Sequence, residues 1–116
     1  MKRFGRSITH AVKGIYYTFR NERNFQAEIA IAGGVMLCML WLPLTRQEQM
    51  ILIIAIVLVL VLELINTAIE RVMDILKPRV HPYARVVKDV TAGAVFIASF
   101  GALLLGVIIF LPYLLQ

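Results

Sequence analysis

Three apolar runs, at 29–43, 50–65 and 90–115, leave this chain little choice but a bilayer. The first is short, because a hydrocarbon core of roughly 30 Å takes about 20 residues to cross. Residues from Phe25 onward must therefore contribute, which sets Glu28 near one interface and Trp41 near the other. The second run is almost unbroken, and the third carries Pro112 and Tyr113 near its end. With 60% hydrophobic residues and a mean hydropathy of +0.82 over 116 residues, the chain is too apolar for a soluble core of one small domain.

Ahead of the runs, Phe4, Ile8, Ala11, Val12, Ile15 and Phe19 recur at helical spacing among Lys2, Arg3, Arg6, Lys13, Arg20 and Arg23. That pattern predicts an amphipathic helix on the membrane surface. The expected fold is an all-α membrane protein of one domain. It has a surface helix at about 4–20 and spans at about 25–43, 48–70 and 86–112. Pro78 and Pro82 end the second of these.

Basic residues set the expected orientation. The N-terminal segment holds six, and the second linker with its flanks holds Arg71, Lys77, Arg79, Arg85 and Lys88. The first linker has only Arg46, and the C-terminal end has none. The positive-inside rule then puts the N-terminus in the cytoplasm and the C-terminus outside. The net charge of +5 is thereby explained without a nucleic-acid partner. The basic N-terminus has no long apolar core behind it and does not read as a signal peptide. Lone Cys38, within an apolar run, offers neither an intrachain disulfide nor a metal pattern and reads as a packed or lipid-facing residue.

Chemistry concentrates at the end of the second span. Glu63, Asn66, Glu70 and Asp74, spaced 3, 4 and 4, share one helical face. A carboxylate at membrane depth costs at least ~2.5 kcal/mol on insertion scales, so Glu63 should face protein or a wet cavity. Clustered carboxylates suit Mg²⁺, a proton relay or a cation path. Nearby Lys88, with His81, Tyr83 and Arg85, disfavours a cation path and favours a polyphosphate. Carboxylates, a divalent ion and a lysine are the inventory of phosphoryl transfer. Glu22 and Glu28 stand where they could close on the stripe. No Gly-rich nucleotide loop is present, and His10 and His81 lack zinc-ligand company. Ala94, Ala98, Ala102 and Gly106 form a small-residue face suited to helix packing in lipid.

The run Glu-Leu-Ile-Asn-Thr-Ala-Ile-Glu at 63–70, with Asp74 and Lys88-Asp89 beyond it, resembles the signature of the prokaryotic diacylglycerol kinase family. Asn21-Glu22, Phe25 and Glu28 resemble its N-terminal motif, so the likeness runs from about residue 3 to the third span. The resemblance implies a trimer with a site shared between subunits at the cytoplasmic interface. It implies Glu63 as general base toward a lipid hydroxyl and Glu22 and Glu70 as ligands of the Mg²⁺ that accompanies ATP. Asn66 is implied as an organiser, with Lys88, Asp89 and the residues near Arg79 to His81 at the nucleotide. Arg3 and His10 fall at further nucleotide or substrate positions, His10 standing where the family pattern has an aromatic residue.

The dialect around Glu22-Arg23-Asn24-Phe25 and His81-Pro82 resembles the undecaprenol branch more than the diacylglycerol branch. No physical argument separates the two, since both lipids present a primary hydroxyl on a long apolar body. The expected reaction is in-line transfer from ATP to a lipid alcohol arriving laterally from the bilayer. A proton- or cation-conducting subunit is the rival that the carboxylate stripe also allows.

Overall fold

A computed structural model describes residues 2–76 and 82–116 as four α-helices. They are α1 (Lys2–Asn21), α2 (Arg23–Trp41), α3 (Arg46–Leu76) and α4 (Tyr83–Leu114). The last three are long and apolar enough to cross a membrane. The more polar α1 leaves Phe4, Ile8, Val12 and Ile15 exposed. A charged helix with an uncovered apolar stripe is what a membrane surface accommodates.

One residue, Glu22, separates α1 from α2, with extended backbone at φ −119°, ψ 115°. The carbonyls that end α1 are bonded locally. Asn21 Nδ2 donates to the Tyr17 carbonyl at 2.8 Å, and Gln26 Nε2 donates to that of Phe19 at 2.7 Å. The sharp break keeps α1 beside the start of α2 and also packs it on α3.

The other end of the bundle is fixed by a capping box. Thr45 N–H donates to Glu48 Oε1 at 2.9 Å, and Glu48 N–H donates to Thr45 Oγ1 at 3.1 Å. The Glu48 charge also favours the N-terminus of α3. Tyr113 Oη donates to the same Glu48 oxygen at 2.5 Å, fastening the end of α4 to the start of α3. Thr45→Ala should therefore destabilise the protein by about 1 kcal/mol, the usual worth of a helix cap. Thermal unfolding in micelles should show a lowered midpoint with turnover below it unchanged, because this end lies away from the carboxylates.

The chain is thin. Its extents are 57 × 40 × 21 Å, and 21 Å is only two helix diameters at about 10–12 Å each. The radius of gyration of 17.2 Å exceeds the roughly 13 Å of a globule of this length. The apolar core is small: Phe25, Leu52, Ala55, Val59, Ala84 and Ile109. Most large apolar side chains face outward, the lipid-solvated arrangement. Along the small-residue face, a Cβ added at Gly106 would meet nothing within 4 Å. That position makes no close helix approach within the chain.

At 31 residues, α3 is roughly 46 Å long, well beyond the roughly 30 Å of a hydrocarbon core. It overshoots at the end that carries the polar stripe.

Candidate active site

Helical periodicity turns Glu63, Asn66 and Thr67 of α3 inward, where they are the polar buried groups of that helix. Glu63 is 2% exposed, and its Oε2 finds no hydrogen-bond partner among the described residues. Thr67 Oγ1 donates to the Glu63 carbonyl at 3.0 Å, which ties the hydroxyl into the helix and leaves the carboxylate to face its neighbours. Asn66 Nδ2 donates to Glu70 Oε1 at 2.8 Å, while the buried Asn66 Oδ1 has no partner among the described residues. The amide thus fixes the Glu70 side chain one turn further along the stripe.

Two carboxylates come from outside α3. Glu63 lies within electrostatic reach of Glu22 and Glu70, and Glu28 within reach of Glu63. Glu28, on α2, also buries an oxygen that has no partner among the described residues. Four acidic side chains therefore gather where α2 meets the polar half of α3. Mutual repulsion and burial make such a cluster unstable unless it serves a proton or a cation. An apolar cavity of about 600 Å³ runs between α2, α3 and α4. Ile31, Val35, Leu52, Val59 and Phe110 help line it, and Glu28 is the charged group on its wall.

Cations border the cluster. Arg71 Nη2 bonds Glu22 Oε1 at 2.7 Å, and its Nε donates to Tyr17 Oη at 2.9 Å. Lys88, one turn and a half into α4, bonds Asp74 Oδ1 at 2.9 Å, which brings the start of α4 beside the end of the stripe. Asp89, the next residue, is exposed.

Of the residues singled out in the sequence, Glu22, Glu63, Asn66 and Glu70 come together, and Lys88 joins them at the stripe's far end. Arg3 and His10 do not. They are exposed on α1, and Arg3 lies roughly 28 Å along the helix from Glu22 at 1.5 Å per residue. His81 and Arg79 lie outside the described residues. The sequence reading missed two participants. In the sequence Arg71 bears only on topology, and Tyr17 carries no signal of its own. Nothing local marks either, since the Arg71–Tyr17 bond joins residues 54 apart.

Residues 9–110 match the family model described as prokaryotic diacylglycerol kinase. The chain belongs to this family. It is 41% identical over 114 residues to the undecaprenol kinase of Bacillus subtilis (strain 168), covering 98% of this chain and 93% of the relative. A diacylglycerol kinase of Synechocystis sp. is 34% identical over 95% of this chain, which spans 63% of that relative. One from Escherichia coli (strain K12) is 31% identical over 79% of this chain and 75% of its own length. Membership makes the chain a lipid kinase, taking its phosphoryl group from a nucleotide, and the three apolar helices make it a bacterial inner-membrane protein.

Kinase chemistry usually requires a divalent cation. Among the described residues no three Asp, Glu, His or Cys side chains form a cage for one. A full cage is not what such an ion needs. Mg²⁺ takes one or two carboxylates, with phosphates and water completing its shell. Glu22 and Glu70 supply hard oxygens within electrostatic reach of Glu63, and Asn66 Nδ2 holds Glu70 Oε1 at 2.8 Å. The donor chemistry fits an ion that arrives with a nucleotide.

Proposed function

We propose that this chain transfers the γ-phosphoryl group of ATP to undecaprenol, giving undecaprenyl phosphate, with Glu63 as the general base. The observation that carries this reading is the buried Glu63 carboxylate, without a partner at Oε2 among the described residues and within electrostatic reach of Glu22, Glu70 and Glu28. The acceptor is suggested by the likeness to the Bacillus subtilis undecaprenol kinase.

The lipid hydroxyl enters laterally from the bilayer toward Glu63. Its oxygen attacks the γ-phosphorus as Glu63 takes the proton, and the bond to the ADP oxygen breaks in line. Glu22 and Glu70 are the residues that would hold Mg²⁺, whose charge offsets that of the phosphates. Asn66 orients Glu70 for this task, and Lys88 and Asp89 meet the nucleotide, with Lys88 exchanging Asp74 for phosphate. The N-terminus faces the cytoplasm and the C-terminus the outside, so that the stripe opens toward ATP.

A thin chain cannot surround a lipid, a metal and a nucleotide alone, which supports a homo-oligomer, taken here as a trimer. Arg3 and His10, remote from the carboxylates of their own chain, would serve a neighbouring subunit's site.

The test is transfer of radiolabelled phosphate by purified protein in mixed micelles, with undecaprenol and diacylglycerol at equal mole fraction. Undecaprenol should be labelled several-fold faster. Faster labelling of diacylglycerol would keep the kinase mechanism and reverse the acceptor. Label on neither lipid, together with proton or cation flux in liposomes, would sink the reading in favour of a conducting subunit.

A further inference from the structure

Glu22 occupies the N-cap position of α2, where a carboxylate commonly accepts from the free N–H groups of the first turn, yet its side chain makes no capping bond. It turns instead to Arg71. The guanidinium is steered there from the other side as well. Its Nε bonds Tyr17 Oη, and its central carbon lies 5.7 Å from the centre of the Tyr17 ring. Tyr17 belongs to α1, Glu22 to the α1–α2 break and Arg71 to α3, so one cation joins three elements at the edge of the carboxylate cluster.

Three features make this contact exchangeable. It uses one nitrogen and one oxygen, without the two-pronged geometry that strengthens Arg–carboxylate pairs. Its side chains are 36% and 21% exposed, so water screens it. Arg71 keeps its bond to Tyr17 if Glu22 leaves, so the guanidinium is not stranded.

We propose that Arg71 is a gate on Glu22: it stands in for the divalent cation and must be displaced before Glu22 can bind one. The proposal rests on the reading of Glu22 as a cation ligand. Arg71 is a positioning residue in this scheme, acting through Glu22. Tyr17 sets how firmly the gate is held, which links cation access to the seating of the surface helix α1.

The experiment is a Mn²⁺ titration followed by electron paramagnetic resonance, on full-length protein in micelles without nucleotide. Circular dichroism and micelle size confirm that each variant is folded. Arg71→Gln should tighten Mn²⁺ binding by roughly two- to fivefold, the exchange equivalent of an exposed ion pair. Arg71→Lys, which keeps the charge, should stay near wild type. Tyr17→Phe, which changes no charge, should tighten binding by a smaller factor. The gain from Arg71→Gln should vanish in a Glu22→Gln background, the non-additivity expected of groups in contact.

An equal gain in that background would reduce Arg71 to a long-range charge and overturn the gate. So would unchanged affinity in Arg71→Gln where Glu22→Gln itself weakens Mn²⁺, an outcome that leaves the ligand reading standing. Unchanged affinity in Glu22→Gln alone would remove the ligand reading, and the gate with it.

Discussion

Glu63→Gln should lower kcat by roughly 10²–10⁴-fold, the usual contribution of a positioned general base. The KM for ATP should stay within a factor of about two, because the nucleotide is assigned to other residues. Shape is conserved by this change, and the amide is less costly to bury than a carboxylate, so the helix should stay where it is. Phosphate transfer in mixed micelles, read beside binding of a non-hydrolysable ATP analogue, measures both quantities. A variant that kept most of its rate would remove Glu63 from the chemistry. It would then have to be explained as a structural group, although its Oε2 has no hydrogen-bond partner among the described residues.

The second large effect is expected at Glu70. Glu70→Gln should raise the Mg²⁺ concentration for half-maximal rate and cost about 100-fold or more in activity, above the 10–100-fold typical of groups that merely orient a ligand. Asn66→Ala should fall within that lower range, since in the proposed scheme Asn66 acts on the ion through its 2.8 Å bond to Glu70. The double variant should be little worse than Glu70→Gln alone. Rate measured against free Mg²⁺ at saturating ATP reads all three. Additive losses would mean that Asn66 acts on something other than Glu70.

The fold class was open to sequence reasoning because bilayers impose it. Long apolar runs have no other solvent, and helices are the spanning form that satisfies their own backbone. The carboxylate stripe was open for a similar reason, since Glu63, Asn66 and Glu70 obey the helical period and their inward face follows from the cost of lipid exposure. The start of α3 was also written in the sequence. Thr45 followed three residues later by Glu48 is a capping box that opens α3 just ahead of the apolar run. Arg71 is the opposite case. Its charge accounts for orientation by itself, and nothing in the sequence around it demands a second role. Which carboxylate it meets depends on how α1 packs on α3, and no period or motif encodes that angle. Lys88 was chosen as a phosphate group, and its contact with Asp74 came only from the packing of α3 on α4.

The length of α3 has a consequence for how this enzyme senses its surroundings. From Glu63 to Asp74 the stripe climbs roughly 16 Å, so a single helix face acts as a gauge of depth in the membrane. Under the proposed assignment, the acceptor hydroxyl would meet the gauge at its submerged mark and the nucleotide would meet it near the waterline. A thicker bilayer would sink the upper marks, and a thinner one would lift Glu63 toward water, each at a modest cost per ångström of mismatch. Turnover should therefore peak at one acyl-chain length, and the host's lipid composition becomes a control on the rate that needs no regulatory ligand.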